Sequence, residues 1–434
     1  MKKSTKFLLG AAAATGIAYV LDKDAFEKPL EIMKNKGYRL KSKVMEAGLP
    51  LVEAVFPSPK VICGVYSTKK LPAVLDELGV KKALIVTGPT VGKTIVPPIS
   101  ENLEHHGITC VIYDKVEENP SVNTVEAIHS FYLENGCGGF LAIGGGSPMD
   151  AAKAAAARVA KPNTPIGKMA GLMKIMTKVP PIVAVPTTSG SGSEVTMGAV
   201  ISDHDEHHKY AVMDPCILPR YAVLDASLTV SMPPFVTATT GVDALTHAVE
   251  SYITWAYNNN KSNRNAEEAV VKVFRNIERA YANGTDLEAR EQMLIASYKA
   301  GLAFNHTGVG YVHAISHAMG GIYNTAHGLA NSVILPIVLE DYGEVVHPQL
   351  AHLAEITGIQ TSGSDAEKAV AFINAIRALN KKMGLPTGFD FINQKDFPQI
   401  IEWALAEGNN TYPVPVLYNA ARMRHVLNRI VLEA

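Results

Sequence analysis

Asp243 and His247 stand four residues apart in the run 241–252 (GVDALTHAVESY), and His313 and His317 repeat that spacing in HAISH. In a helix, residues four apart share a face one turn apart, so each pair presents two metal-binding groups together. His327 follows ten residues after His317, beside Gly328. Neutral imidazoles joined by one carboxylate suit Zn2+ or Fe2+. One polar pair at this spacing is ordinary on a solvated helix face. Two pairs and a further histidine are less ordinary here, because Val242, Leu245, Val249, Val312 and Ile315 flank them. Such flanks imply burial, and buried polar groups need partners. His306 lies in the same stretch, whereas His204, His207 and His208 sit among charges and read as solvated.

Two glycine-rich segments suggest a second kind of chemistry. Residues 143–150 (IGGGSPMD) follow an apolar run and open an alanine-rich helix at Ala151. Glycines let a backbone approach a ligand without a Cβ clash, and the amides of a helix N-terminus bind anions. A pyrophosphate is the natural guest, and Pro148 suits a first helical turn. The spacing is GGGS rather than GxGxxG, so by itself it also fits a strand-to-helix turn made for packing. Residues 186–196 (PTTSGSGSEVT) offer hydroxyl and backbone donors in one short stretch. That stretch could be only a polar loop, but it too follows a strand, at the end where ligands of open α/β sheets bind.

The elements that must position these groups fall into two kinds. Short apolar runs at 82–87 (KALIVT), 108–113 (ITCVIY), 139–143 (GFLAI) and 181–185 (PIVAV) alternate with helical stretches such as 71–78 and 122–134. That alternation predicts a parallel sheet covered on both faces, followed by a hairpin over 198–202 and 210–213. Past Pro233-Pro234, long helical windows take over at 243–257, 266–282, 286–303, 365–383 and 416–432. The expected organisation is an extension over 1–56, a Rossmann-like dinucleotide-binding α/β domain over 57–232 and an all-helical metal-binding domain over 233–434. Clefts between domains are favoured places for small ligands.

Bulk properties exclude several classes. The 434 residues, 47% of them apolar, suffice for two cores. Forty Lys plus Arg nearly balance 41 Asp plus Glu, and no basic block appears, so no nucleic-acid partner is expected. The four cysteines (Cys63, Cys110, Cys137, Cys216) are dispersed, which indicates a reducing, cytoplasmic setting and no thiolate metal site. Lys2 and Lys3 precede an apolar run over 7–21, and 23–45 reads as a basic amphipathic helix. The apolar run is short of the ~20 residues a spanning helix needs. No small-x-small cleavage site follows it, which weighs against export. The extension therefore reads either as helices packed on the protein's own surface or as a loose anchor through residues 1–50 on a membrane face.

With these motifs, the chain resembles the iron-containing (group III) alcohol dehydrogenases. The matching segments are 144–150 with Lys153, 186–196, 241–252 and 308–336 (GVGYVHAISHAMGGIYNTAHGLANSVILP), the last two being specific in order, spacing and flanks. The resemblance runs from Pro57 to the C-terminus and leaves the extension outside. It implies a dehydroquinate synthase-like fold and hydride transfer between a nicotinamide cofactor and a small alcohol or carbonyl, largely as an aldehyde or ketone reductase. It implies Fe2+ (or Zn2+) on Asp243, His247, His313 and His327, with His317 outside the ligand set, near the nicotinamide and able to relay a proton. For the cofactor it points to Asn119, Gly145, Gly146, Ser147, Asp150, Thr187, Thr188, Ser191, Thr196 and Lys209. It also implies a homodimer.

Two departures from the family pattern stand out. Many members carry an aspartate after the first strand, where it can bond the adenosine ribose; here that position is Gly88. A carboxylate there would repel a 2′-phosphate, so glycine predicts that NADP(H) is accepted as well as NAD(H). At 410–415 (NTYPVP) relatives often carry Asn-Pro-Arg, which puts a substrate role for that loop in doubt. The competing functions are a dehydroquinate synthase-type lyase, which would use its cofactor only transiently, and a silent metal-binding scaffold. Net cofactor turnover separates both from a dehydrogenase.

Overall fold

A computed structural model describes residues 58–203 and 208–432. The extension over 1–56, the hairpin tip with His204 and His207, and the side chain of His208 lie outside the described residues. Among the described residues no helix is long and apolar enough to cross a membrane.

Two compact units form. One comprises residues 58–232 and 284–298, the other 233–283 and 299–432. The first is built on a six-stranded sheet with the order β1-β9-β6-β4-β2-β3. Its strands are β1 (Lys60–Cys63), β2 (Lys82–Val86), β3 (Thr109–Tyr113), β4 (Gly139–Gly144), β6 (Ile182–Pro186) and β9 (Tyr221–Leu224). Every pairing among them is parallel. The central strands β4 and β6 are buried at every residue, as parallel strands covered on both faces must be. A second sheet joins β5 (Gly171–Leu172), β7 (Gly198–Asp203) and β8 (His208–Met213), with β7 and β8 as the expected hairpin. Strands β1 and β9, four residues each, escape a sequence reading because runs that short carry little periodic signal.

Alternation along the strands divides the core. Leu84, Val86, Phe140, Ala142, Ile182 and Ala184 face α4 (Val122–Glu134) and α5 (Gly146–Ala160). Their neighbours Ala83, Ile85, Leu141, Ile143, Val183 and Val185 face α1 (Leu71–Glu77) and α3 (Val96–His105), which follows the short α2 (Pro89–Thr94). Each Val, Leu or Ile buried in this way contributes roughly 1.5–3 kcal/mol. The alanines from Ala151 to Ala157 are fully buried, so α5 lies close against the sheet and its N-terminus is set where β4 ends.

The other unit is helical, with α6 (Pro234–Ile253), α7 (Asn260–Ala282), the second half of α8 (Leu287–Thr307), α9 (Tyr311–Tyr323), α10 (His327–Tyr342), α11 (His347–Thr357), α12 (Asp365–Lys382), α13 (Phe397–Thr411) and α14 (Ala420–Ile430). Helix α6 starts nine residues before the expected 243 because Pro234 opens it, a position that tolerates the missing N–H. It stops at Ile253 rather than 257, where the Thr254 side chain bonds Ser251 O and Asn258 and the backbone turns extended. Ser364 and Glu367 cap α12 reciprocally, which is why that helix begins where its sequence indicates.

Candidate metal centre and cofactor loops

Three helices bring four donors together in the helical unit. Asp243 and His247 lie one turn apart on α6, His313 lies near the start of α9, and His327 is the first residue of α10. One ligand atom from each falls within 4.8 Å of all the others. Asp243 Oδ1 is 3.5 Å from His327 Nε2 and 4.0 Å from His313 Nε2, and Oδ2 is 3.9 Å from His247 Nδ1. Asp243, His247 and His313 are buried, while His327 is half-buried. Gly328 makes this approach possible, because a Cβ there would stand 2.4 Å from Thr239 O on α6.

The donor set fits a divalent cation. Asp243 has no lysine or arginine partner among the described residues, and burial pushes its carboxyl above the usual range. Burial also holds His313 well below the ordinary imidazole value, which keeps it neutral and able to ligate. A buried carboxylate facing three imidazoles lacks a compensating charge that a metal ion would supply. Asn331, one turn after His327, points its Nδ2 at the same place: 2.8 Å from Asp243 Oδ1, 3.1 Å from His327 Nε2 and 3.4 Å from His313 Nε2. The two hydrogens of that NH2 group are matched by its two nearest acceptors, Asp243 Oδ1 and His327 Nε2.

His317 lies beside this set and outside it. Its ring stacks on that of His327 at 5.1 Å, and its Nδ1 is 2.8 Å from Glu407 Oε1 on α13. Tyr412 donates its hydroxyl proton to the same carboxylate oxygen, so the segment 410–415 does reach this corner despite its departure from the family pattern. His306 is not part of the cluster; it faces Asn259 at an exposed position.

The cofactor candidates occupy the sheet unit. The register sets Gly144 beside Pro186, and Thr187 N donates to Gly144 O, so both glycine-rich loops leave the sheet at one level. Gly144 has φ +153°, and a Cβ on it would meet the Pro148 ring at 2.7 Å. A Cβ on Gly145 would stand 3.3 Å from Thr188 Oγ1, and one on Gly146 3.0 Å from Ser191 Cβ, close contacts that the glycines avoid. Asn119, in the left-handed region at φ 57°, donates its backbone N–H to Ser147 Oγ, and its Oδ1 accepts from Lys209 Nζ at 2.8 Å. Burial pulls the Lys209 amine down to about 8.

Other candidates are engaged inside the protein. Asp150 accepts from Ser193 Oγ and Val200 N. Thr196 Oγ1 accepts from the fully buried Lys153, which also donates to Ser193 Oγ and Gly198 O. Lys153 thereby ties α5 to the second loop. Gly88 caps α2 and faces Val116 O.

Sequence reasoning singled out neither Glu250, Asn331 nor Glu407. The first two carried a usable signal: Glu250 is three residues after His247, and Asn331 four after His327, both on ligand-bearing helix faces. Glu407 had none, since ninety residues separate it from His317.

Residues 58–226 match the family described as iron-containing alcohol dehydrogenase, and 237–431 match the C-terminal family of Fe-containing alcohol dehydrogenases. The chain is 37% identical over 344 residues to an NAD-dependent methanol dehydrogenase of Bacillus methanolicus, covering 79% of this chain and 90% of that one. It is 34% identical over 346 residues to lactaldehyde reductase of Escherichia coli K12, covering 77% and 88%. A crystal structure of 1,3-propanediol oxidoreductase superposes with a TM-score of 0.83 at 33% identity, covering 86% of this chain and 99% of that one. The chain belongs to the iron-containing alcohol dehydrogenase family.

Proposed function

We propose that the protein holds Fe2+ on Asp243, His247, His313 and His327 and exchanges hydride between NADP(H) or NAD(H) and a small alcohol or aldehyde, working chiefly as a reductase. The observation that carries this reading is the convergence of one carboxylate and three imidazoles from three helices within 4.8 Å. Zn2+ would suit the same donors, since availability as well as ligand type decides between the two. Small alcohols and aldehydes are the substrates named for the methanol, lactaldehyde and propanediol enzymes it resembles.

A metal bound here supplies a Lewis acid that polarises the substrate oxygen. The chain's own residues do the rest. Loops 144–150 and 187–196, with Asn119 and Lys209, hold the pyrophosphate and nicotinamide portions of the cofactor through backbone amides, hydroxyls and one ammonium. His317, with Nδ1 on Glu407, has Nε2 as the nitrogen that takes up or releases a proton. Glu407 orients that ring and Tyr412 orients Glu407. Gly88 puts no carboxylate beside the adenosine ribose, which favours acceptance of a 2′-phosphate. The four free cysteines suit a cytoplasmic enzyme, and the family resemblance supports a homodimer.

The test is turnover by purified protein stripped of metal and then reloaded with Fe2+ or Zn2+, using short alcohols and aldehydes with both cofactors. Metal-dependent turnover with NADP(H) is the expected result. Turnover with NAD(H) alone removes the NADP(H) assignment and keeps the enzyme class. No turnover with any combination overturns the reading in favour of a lyase or a scaffold.

A further inference from the structure

Glu250 sits on α6 two turns after Asp243, buried, with its hydrogen bonds directed at the start of α9. Its Oε1 accepts from Val312 N at 2.8 Å. Its Oε2 lies 2.5 Å from His313 Nδ1. Backbone donors of Gly310 and His313 also point at the carboxylate. Gly310 is shaped to this contact: a Cβ there would fall 2.6 Å from Glu250 Oε1. No lysine or arginine pairs with Glu250 among the described residues, so nothing but N–H groups and the imidazole compensates it.

A carboxylate is an acceptor at both oxygens. Facing His313 Nδ1, it demands the proton on Nδ1 and leaves the lone pair on Nε2. The carboxylate thus selects one tautomer and one ring orientation, the one in which Nε2 is directed at Asp243. We infer that Glu250 is a positioning residue of the metal centre, one that fixes the His313 tautomer and docks the first turn of α9 so that His313 Nε2 is presented as a ligand. The inference rests on the metal reading of the four donors.

Glutamine keeps the shape but cannot accept at both ends. In E250Q either the α9 amides or His313 Nδ1 must face an NH2 group. Loss of such an outer carboxylate typically weakens metal binding about 10- to 100-fold.

The experiment is a Co2+ titration of metal-stripped wild type and E250Q, followed by the visible spectrum of the bound ion, with 15N-histidine NMR of both stripped proteins. The expected result is a Co2+ Kd raised about 10- to 100-fold, a changed Co2+ spectrum, and loss of the single Nδ1–H tautomer at His313. Equal affinity and an unchanged tautomer in a folded E250Q would overturn the role of Glu250. If wild type itself binds no Co2+, the metal reading fails first, and the two failures are distinct. Should stripped E250Q not fold, the rate at which a chelator removes Co2+ from the loaded, folded variant decides: faster than wild type supports the inference, and equal overturns it.

Discussion

His317 stacks on His327 at a centroid separation of 5.1 Å while its Nδ1 lies 2.8 Å from Glu407 Oε1, so one imidazole touches both a histidine of the donor set and a carboxylate from another helix. A ring held at both sides keeps a fixed orientation, which is what the proposed proton relay requires. H317A should therefore keep its metal and lose about 100-fold or more in kcat, the range typical of a missing proton-transfer group. Metal analysis beside steady-state kinetics checks this; loss of metal in H317A would make His317 a ligand instead.

Removal of a donor should have the opposite signature. H247A and D243N should lose most of their bound metal and turnover together, and added Fe2+ should restore little of either. Chelation of the wild type should abolish turnover reversibly. The measurement is metal content per chain against residual rate. A D243N variant with full metal would remove Asp243 from the ligand set.

Gly88 offers a test of cofactor choice. G88D places a carboxylate at the cap of α2, a favoured cap residue, with its Cβ 3.2 Å from Val116 O, a contact that must ease by a few tenths of an ångström. The variant should fold and should lose on the order of 10-fold or more in kcat/KM for NADPH relative to NADH, each tenfold being about 1.4 kcal/mol. An unchanged ratio would show that residue 88 does not meet the ribose.

Lys209 predicts a pH dependence. Burial holds its amine at about 8, below the ordinary lysine value of 10.5. The protonated form is the one that attracts an anionic cofactor, and the bound anion raises the amine's pKa. Affinity should thus be level below pH 8 and weaken above it, by up to about tenfold per pH unit. NADH fluorescence titrations from pH 7 to 10 should show that slope in wild type and a flat, weaker response in K209M. A slope retained in K209M would assign the titration elsewhere.

Gly144 ties stability to binding. At φ +153°, and with the Pro148 ring only 2.7 Å from where a methyl group would stand, alanine can neither adopt the backbone nor fit the space. G144A should cost about 1–3 kcal/mol and should weaken cofactor binding while leaving metal content intact. Calorimetry and NADH titration on the same preparation report both effects.

What the sequence determined by itself was local. The apolar runs that became β2, β4 and β6 are legible because a buried parallel strand must be apolar on both faces, and the spacing of Asp243 with His247 is legible because one helix turn carries it. The family resemblance pointed to the four side chains that the structure clusters. Spacing by itself leaves open which of the clustered histidines converge, and the tertiary structure decides it. His313 and His317 have equal claims by spacing, yet the path of α10 brings His327 to the Asp243 side of α9, and α13 brings Glu407 to His317. Tertiary packing likewise engaged Asp150 and Thr196 with Ser193 and Lys153, and gave Glu250 to His313. Hydrogen bonds between residues sixty or ninety positions apart leave no periodicity in a chain; they exist only once helix packing has closed the loops between them.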